Sequence, residues 1–239
     1  MHITITYIHH NSFVLDAPGR AYLFDYPGEA HLPPGAADMV RRAVAGRDLV
    51  VFVSHGHADH LNEDLDAVTA GAASVRTVLS DDVTELQPEA VPTRGEVLVV
   101  EPDERYSFEG MDVHTLASND LGVAYLVEDK GLRFYYGGDL AEWIWPGAQA
   151  READFTRAFF QAAMERVRAF RPHLAFSNTD PRLPNGAGGE TACRMAGARV
   201  FVPMHTFGDT AFLAGFAPGP GGSSVFRYER PGDRVEFEI

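Results

Sequence analysis

Leu49-Val50-Val51-Phe52-Val53-Ser54-His55-Gly56-His57-Ala58-Asp59-His60 is the stretch on which the reading of this chain turns. Its first five residues form an uninterrupted apolar run, mostly β-branched, which is the pattern of a strand covered on both faces. The next seven carry four potential metal ligands. His55 and His57 are separated by one small residue, so both imidazoles can turn toward one point from a tight loop. Asp59 and His60 then face a second point nearby. Gly56 and Ala58 leave room for the crowding. In a chain of this composition such a pattern arises by chance about once in a thousand sequences. Imidazole nitrogens combined with carboxylate oxygens suit Zn²⁺, and also Mn²⁺ or Fe²⁺. The bland alternative is a polar loop that only caps a strand.

Further ligands are expected on other strand-end loops, because loops at one sheet edge converge. The strand 132–136 runs into Gly137-Gly138-Asp139, where two glycines allow close backbone approach and aim Asp139 inward. The strand 199–203 runs into Met204-His205. Before the histidine loop, alternation over 3–8, 12–15 and 21–24 predicts a meander of short antiparallel strands with a turn at 17–20. A helix is expected over 36–45, with Met39, Val40, Ala43 and Val44 on one face and Gly46 at its C-cap. Asn62 is placed to cap a helix carrying Leu65, Val68 and Thr69. Strands follow at 75–79, 97–100, 111–116 and 123–127. A long helix over 151–170 is read with Phe155, Phe159, Ala163, Val167 and Phe170 on one face. Then come a strand at 174–176, helices near 189–196 and 209–216, and closing strands at 224–229 and 234–238.

The pattern is that of a layered α/β protein. The Pro/Gly-rich stretch 217–222 is too short and too late for a linker, so residues 1–239 read as one domain. A length of 239 residues suffices for a core without disulfide staples, and the single Cys193, inside a helix, reads as a small buried hydrophobe. The net charge of −14 argues against a nucleic-acid-sized partner, which needs Lys and Arg against phosphates. No signal segment is visible and no apolar run approaches the ~20 residues that span a bilayer, so a cytoplasmic location with no membrane partner is expected.

The ordered set His-x-His-x-Asp-His, a Gly-Asp after a strand and a late strand-end histidine resembles the metallo-β-lactamase fold superfamily. The start, with His10-Asn11-Ser12-Phe13 and Leu23-Phe24-Asp25, is similar too. The likeness spans essentially the whole chain and is nearest to compact bacterial metal-dependent hydrolases of the ascorbate-6-phosphate lactonase-like group. It implies a four-layer αββα sandwich with a metal site at one edge. By position His55 and His57 correspond to first-metal ligands, Asp59, His60 and His205 to second-metal ligands, and Asp139 to the bridging carboxylate.

One departure matters. The third first-metal histidine is missing; its slot reads Ala117-Ser118-Asn119-Asp120, with Ser118 in the aligned position and Asp120 able to offer oxygen. His114 lies too early and reads as a packed residue. One firmly held ion, most simply Zn²⁺, is therefore expected, with a second site weakened or altered. His10, Asp180 and Arg182 are candidates for substrate binding or for support of the ligands, Arg182 through its fork to an anionic group. Trp143 and Trp145 could wall the pocket, or pack against the long helix or a partner.

The function implied is hydrolysis of a small ester, lactone or related bond. A metal can lower the pKa of water from 15.7 to roughly 7, with Asp59 and Asp139 as the catalytic carboxylates. A phosphodiesterase or nuclease on the same fold, an iron-dependent thiol dioxygenase and a binding protein that lost activity are the rivals. The partner expected is a small molecule; homo-oligomerisation is left open.

Overall fold

A computed structural model describes residues 1–217 and 222–239. It comprises two compact units, one of Met1–Glu101 with Tyr228–Ile239 and one of Pro102–Arg227. Of the expected loop 217–222, residues 218–221 lie outside the described residues.

The first unit is one seven-stranded sheet with helices on one face. Strands β1 (His2–His9), β2 (Ser12–Ala17) and β3 (Arg20–Phe24) form the antiparallel meander. Three parallel strands continue the sheet: β4 (Asp48–Val53), β5 (Ser74–Ser80) and β6 (Glu96–Val100). The chain's last strand, β14 (Arg234–Glu238), returns to pair with β1 at the opposite edge. Helices α1 (Ala36–Val44), α2 (Leu65–Val68) and α3 (Asp81–Leu86) connect the parallel strands. Val40 and Val44 of α1, Leu65 and Val68 of α2 and Val83 of α3 pack on Leu23, Leu49, Val51, Val53 and Leu79. The other parity, including Tyr22, Phe24, Val50 and Phe52, is also buried. That two-sided burial is why β4 reads as a continuous apolar run rather than an alternating one. Gly46 follows α1 with φ 69°, the left-handed turn that favours glycine.

The second unit repeats the plan. Strands β7 (Arg105–Phe108), β8 (Met111–Ala117), β9 (Val123–Asp129) and β10 (Leu132–Tyr136) are antiparallel. Parallel strands β11 (Leu174–Asn178), β12 (Val200–Met204) and β13 (Ser224–Val225) complete the sheet. Helix α4 (Ala150–Phe170) opens with a capping box in which Gln149 and Glu152 satisfy each other's backbone N–H groups. It packs with α5 (Gly189–Ala196) on Leu126, Tyr135, Ala175 and Phe201. Cys193 lies buried in that cluster, as expected.

Several expectations are corrected. The α4 seam is Phe160, Ala163, Met164 and Val167, whereas Phe155, about 140° around the helix from Phe160, is 68% exposed. The helix near 209–216 is a 3₁₀ turn, Ala211–Gly215. The strand at 224–229 pairs only over Ser224–Val225. Helix α2 is a single turn whose N-cap residue is Asp64; the Asn62 carboxamide instead accepts the Asp64 N–H at 3.0 Å. Strand β7 and helix α3 were not anticipated. Both are short, and Thr84 and Glu85 interrupt the apolar spacing of α3.

Candidate functional site

In the first unit the chemistry-bearing side chains gather at the C-terminal ends of β3 and β4. Asp25, with φ 37°, ends β3 and is completely buried. Its Oδ1 accepts the Ser54 backbone N–H at 2.8 Å. Its Oδ2 accepts the Ser54 hydroxyl at 2.7 Å and lies 2.7 Å from Nδ1 of His60. A carboxylate can only accept, so His60 donates through Nδ1 and presents Nε2 as its ligating nitrogen. Nε2 of His55 and Nδ1 of His57 stand 3.0 Å apart, a separation that a shared proton or a common ion would satisfy. His10, buried with φ 52°, sets Nε2 3.3 Å from Oδ2 of Asp59, and its ring meets that of His60 edge-on at 5.4 Å. Ligand-capable nitrogens of His10 and His60 lie within 4.8 Å of each other.

The loop that carries these residues is braced by α3. Gly56 N–H donates to Oδ2 of Asp82 at 2.8 Å, and the Gln87 carboxamide donates to the Gly56 carbonyl. Gly56 is therefore held at both its backbone groups. That bracing was invisible in the sequence, because nothing in Asp82 or Gln87 signals a partner 26 and 31 residues away.

In the second unit Asp139, Asp120 and His205 stand together. Nε2 of His205 is 3.5 Å from Oδ2 of Asp139, and carboxylate oxygens of Asp120 and Asp139 lie within 4.8 Å. Two hydrogen bonds tie the two loops. Asn119 donates to the Ala141 carbonyl at 2.8 Å and accepts the Ala141 N–H at 3.1 Å. The Ser118 hydroxyl accepts the Asp120 N–H at 3.2 Å, so it shapes the turn that presents Asp120. At Gly137 a Cβ would come within 2.9 Å of the Tyr135 hydroxyl and 3.2 Å of the Phe176 carbonyl, which is why glycine stands there. His205, with φ 63°, is oriented from behind by Asp180, whose Oδ2 is 3.1 Å from Nδ1. Burial alone would raise the Asp180 carboxyl, but His205 and Arg182 outweigh it and hold it well below the usual carboxylate range.

Arg182 does not offer its fork outward. Its Nε donates to both Asp180 oxygens, at 2.9 and 3.0 Å, and its Nη2 pairs with Oδ2. The guanidinium also lies over the rings of Phe207 at 4.3 Å and Trp145 at 5.5 Å. Of the two alternatives left open for Arg182, a fork for substrate or support of the ligands, these contacts are of the second kind: the guanidinium anchors Asp180. The Trp143 indole donates to the Asp139 carbonyl at 2.8 Å, and its ring stacks on Trp145 and meets His205 at 4.9 Å. Of the alternatives for these rings, the one beside the candidate ligands is realised. Trp145 and Phe207 remain 47% and 44% exposed. His114 lies mid-strand in β8, across from Arg105 and beside Phe170; burial, with Arg105, pushes its pKa down.

A model of the beta-lactamase superfamily domain matches residues 4–148. The chain belongs to the beta-lactamase superfamily. Among solved structures, YhfI of Bacillus subtilis, a metallo-β-lactamase fold protein, is 14% identical with a TM-score of 0.63, covering 99% of each chain. Igni18, a metallo hydrolase of Ignicoccus hospitalis, is 14% identical with a TM-score of 0.61 over all of both chains. CmlA, a diiron β-hydroxylase of Streptomyces venezuelae, is 12% identical with a TM-score of 0.57, covering 99% of this chain and 54% of that one. No curated protein matches the sequence. At such identities the likeness establishes the fold, so this superfamily member has the α/β metallo-β-lactamase fold, and its His and Asp clusters could hold a metal ion. Among the described residues no helix is long and apolar enough to cross a membrane.

Two supporting residues of the superfamily member, Asp25 and Ser54, were missed as such; Asp25 was visible only as a strand end. Asp180, left open between substrate binding and support of the ligands, stands behind His205. No signal for Asp25 exists in local spacing, because its partner His60 is 35 residues away.

Proposed function

We propose that this protein is a metal-dependent hydrolase acting on a small ester, lactone or related bond, and that residues 1–239 act as one catalytic domain. His55, His57, Asp59, His60, Asp139 and His205 are its metal ligands, and Asp59 and Asp139 its catalytic carboxylates. The observation that carries this reading is the pair of carboxylate–histidine relays. Asp25 fixes Nδ1 of His60 and Asp180 fixes Nδ1 of His205. Each relay selects the tautomer whose Nε2 can ligate, the usual arrangement behind metal-bound histidines. Asp120, turned out by Ser118 beside Asp139, takes the place of the missing third histidine.

The donor set of imidazoles and carboxylates fits a borderline divalent ion, with Zn²⁺ first and Mn²⁺ or Fe²⁺ admissible. When bound, such an ion supplies an acidified water and a Lewis acid. The chain does the rest. Asp139 positions the nucleophile and Asp59 takes or relays its proton, with His10 holding Asp59 through the 3.3 Å contact. The exposed faces of Trp145 and Phe207 give a small substrate an apolar surface beside His205.

The test is metal quantification on untagged protein, followed by a panel of lactones, esters and phosphodiesters with that metal restored. His60→Ala and Asp139→Ala are expected to abolish turnover while the fold survives. Wild-type turnover in both variants would refute the assignment. Two tightly bound ions per chain would refute the expectation of one firm site and one weakened by the exchange of histidine for Asp120.

A further inference from the structure

The helix-bearing face of the first sheet holds a second feature, separate from the histidine loop. Helix α1 approaches β1, and between its flank and the β1–β14 edge of the sheet a cleft of about 450 Å³ opens. Its lining includes Thr4 and Thr6, the flank of α1 with Met39 and Arg42, and Gly232 with Arg234. Register explains the floor. Residues directly opposite on antiparallel strands share a face. Arg234, Thr6 and Val14 therefore form one row, and Glu236, Thr4 and Asp16 the next. Moving outward from Val14 the first row becomes polar, and the second is polar throughout. At the lip Gly232, with φ 92°, lies against Met39, where an added Cβ would come within 3.3 Å of the sulfur.

The charges are unbalanced in one direction. Asp16 is already bound by Arg47, whose Nη1 donates to Oδ2 at 2.7 Å. Glu236 has His2 beside it at 3.8 Å. The side chains of Arg42 and Arg234, by contrast, form no ion pair or hydrogen bond among the described residues, although Arg41 next along α1 pairs with Glu29 and Asp38. In a chain of net charge −14, two arginines without carboxylate partners thus line one cleft. A guanidinium fork matches phosphate oxygens, and threonine hydroxyls can complete the set. The cleft has the volume of a small-metabolite pocket.

We propose that this cleft is a binding site for a small phosphorylated metabolite, with Arg42 and Arg234 gripping the phosphate and Thr4 and Thr6 hydrogen-bonding it. The site is independent of the hydrolytic reading.

Calorimetric titration of the metal-loaded protein with inorganic phosphate and with pyrophosphate tests it, in wild type and in the double variant Arg42→Ala, Arg234→Ala. Both arginines are solvent-exposed and make no contacts that the fold needs, so the variant keeps its circular dichroism and metal content. The expected result is at least a tenfold loss of pyrophosphate affinity in the variant, and a smaller loss in Thr6→Val. Anion binding at a metal would persist unchanged in the double variant. Identical titrations of wild type and double variant would overturn the proposal. So would a switch in oligomeric state on removing the two arginines, which would make the cleft a contact between copies instead.

Discussion

Replacing Asp25 with Asn changes one atom's identity and leaves the shape intact, yet the consequences reach the candidate metal ligands. Asp25 accepts from three donors: the Ser54 N–H, the Ser54 hydroxyl and His60 Nδ1. A carboxamide has one accepting oxygen. If that oxygen keeps the Ser54 N–H, the NH₂ group faces His60 Nδ1, which must then become the acceptor. The His60 proton moves to Nε2 and removes the lone pair that would ligate. Loss of such an outer partner weakens metal binding by about 10–100-fold, which corresponds to roughly 1.4–2.8 kcal/mol. The loss of a hydrogen bond to a charged group, about 1.5–3 kcal/mol, gives the same scale. The assay is competition with a chromophoric chelator, which yields Kd directly. Asp82→Asn is the control, because only Oδ2 of Asp82 accepts, from Gly56 N–H, and a carboxamide oxygen can do that equally well. Wild-type metal affinity in Asp25→Asn would refute the tautomer reasoning.

Other outcomes are equally concrete. Asp180 has its folded carboxyl held below the ordinary carboxylate range by His205 and Arg182, so it contributes stability above that range and loses it as pH falls. The stability gap between wild type and Asp180→Asn, measured by denaturant titration, should therefore shrink as pH falls below about 4. Phe160→Ala should cost about 3–5 kcal/mol, whereas Phe155→Ala, at 68% exposure, should stay within about 0.5 kcal/mol in the same urea titrations. Cys193, buried with its thiol pushed up by burial, should react with a thiol reagent at neutral pH only at the rate at which its surroundings open. The chain's two tryptophans, Trp143 and Trp145, stack on each other beside His205. Metal loading should thus change the intrinsic fluorescence, and Trp143→Phe should abolish most of that change.

What the sequence revealed follows the range of the interactions involved. Strands β1 to β5 and β8 to β12 announce themselves through local periodicity and burial, and the histidine loop through ligand spacing. Helix α3 and strand β7 were silent because a four- to six-residue element carries too little pattern. The pairing of His60 and His205 with their carboxylates was hidden for a different reason. Asp25 meets His60, and Asp180 meets His205, across 35 and 25 residues, and only strand order brings them together. Arg182 was left open because its type matches substrate recognition as well as support, and only the structure shows Asp180, two residues earlier, taking the fork. Phe155 was misread because steps of four residues drift around a helix, so the row Phe155, Phe159, Ala163, Val167 leaves the buried seam at its first member.

The pairing of β14 with β1 also bears on how the molecule is made. The first unit's sheet is closed at that edge by residues 234–238, while residues 102–227 of the second unit intervene in the chain. During synthesis β1 must wait as an open edge, with unpaired N–H and C=O groups, until residues 234–238 have been made. Such an interval favours a chaperone or a mispaired neighbour over the correct strand. Removing residues 234–239 should thus be felt first as lower soluble yield, before any change at the histidine loop is seen.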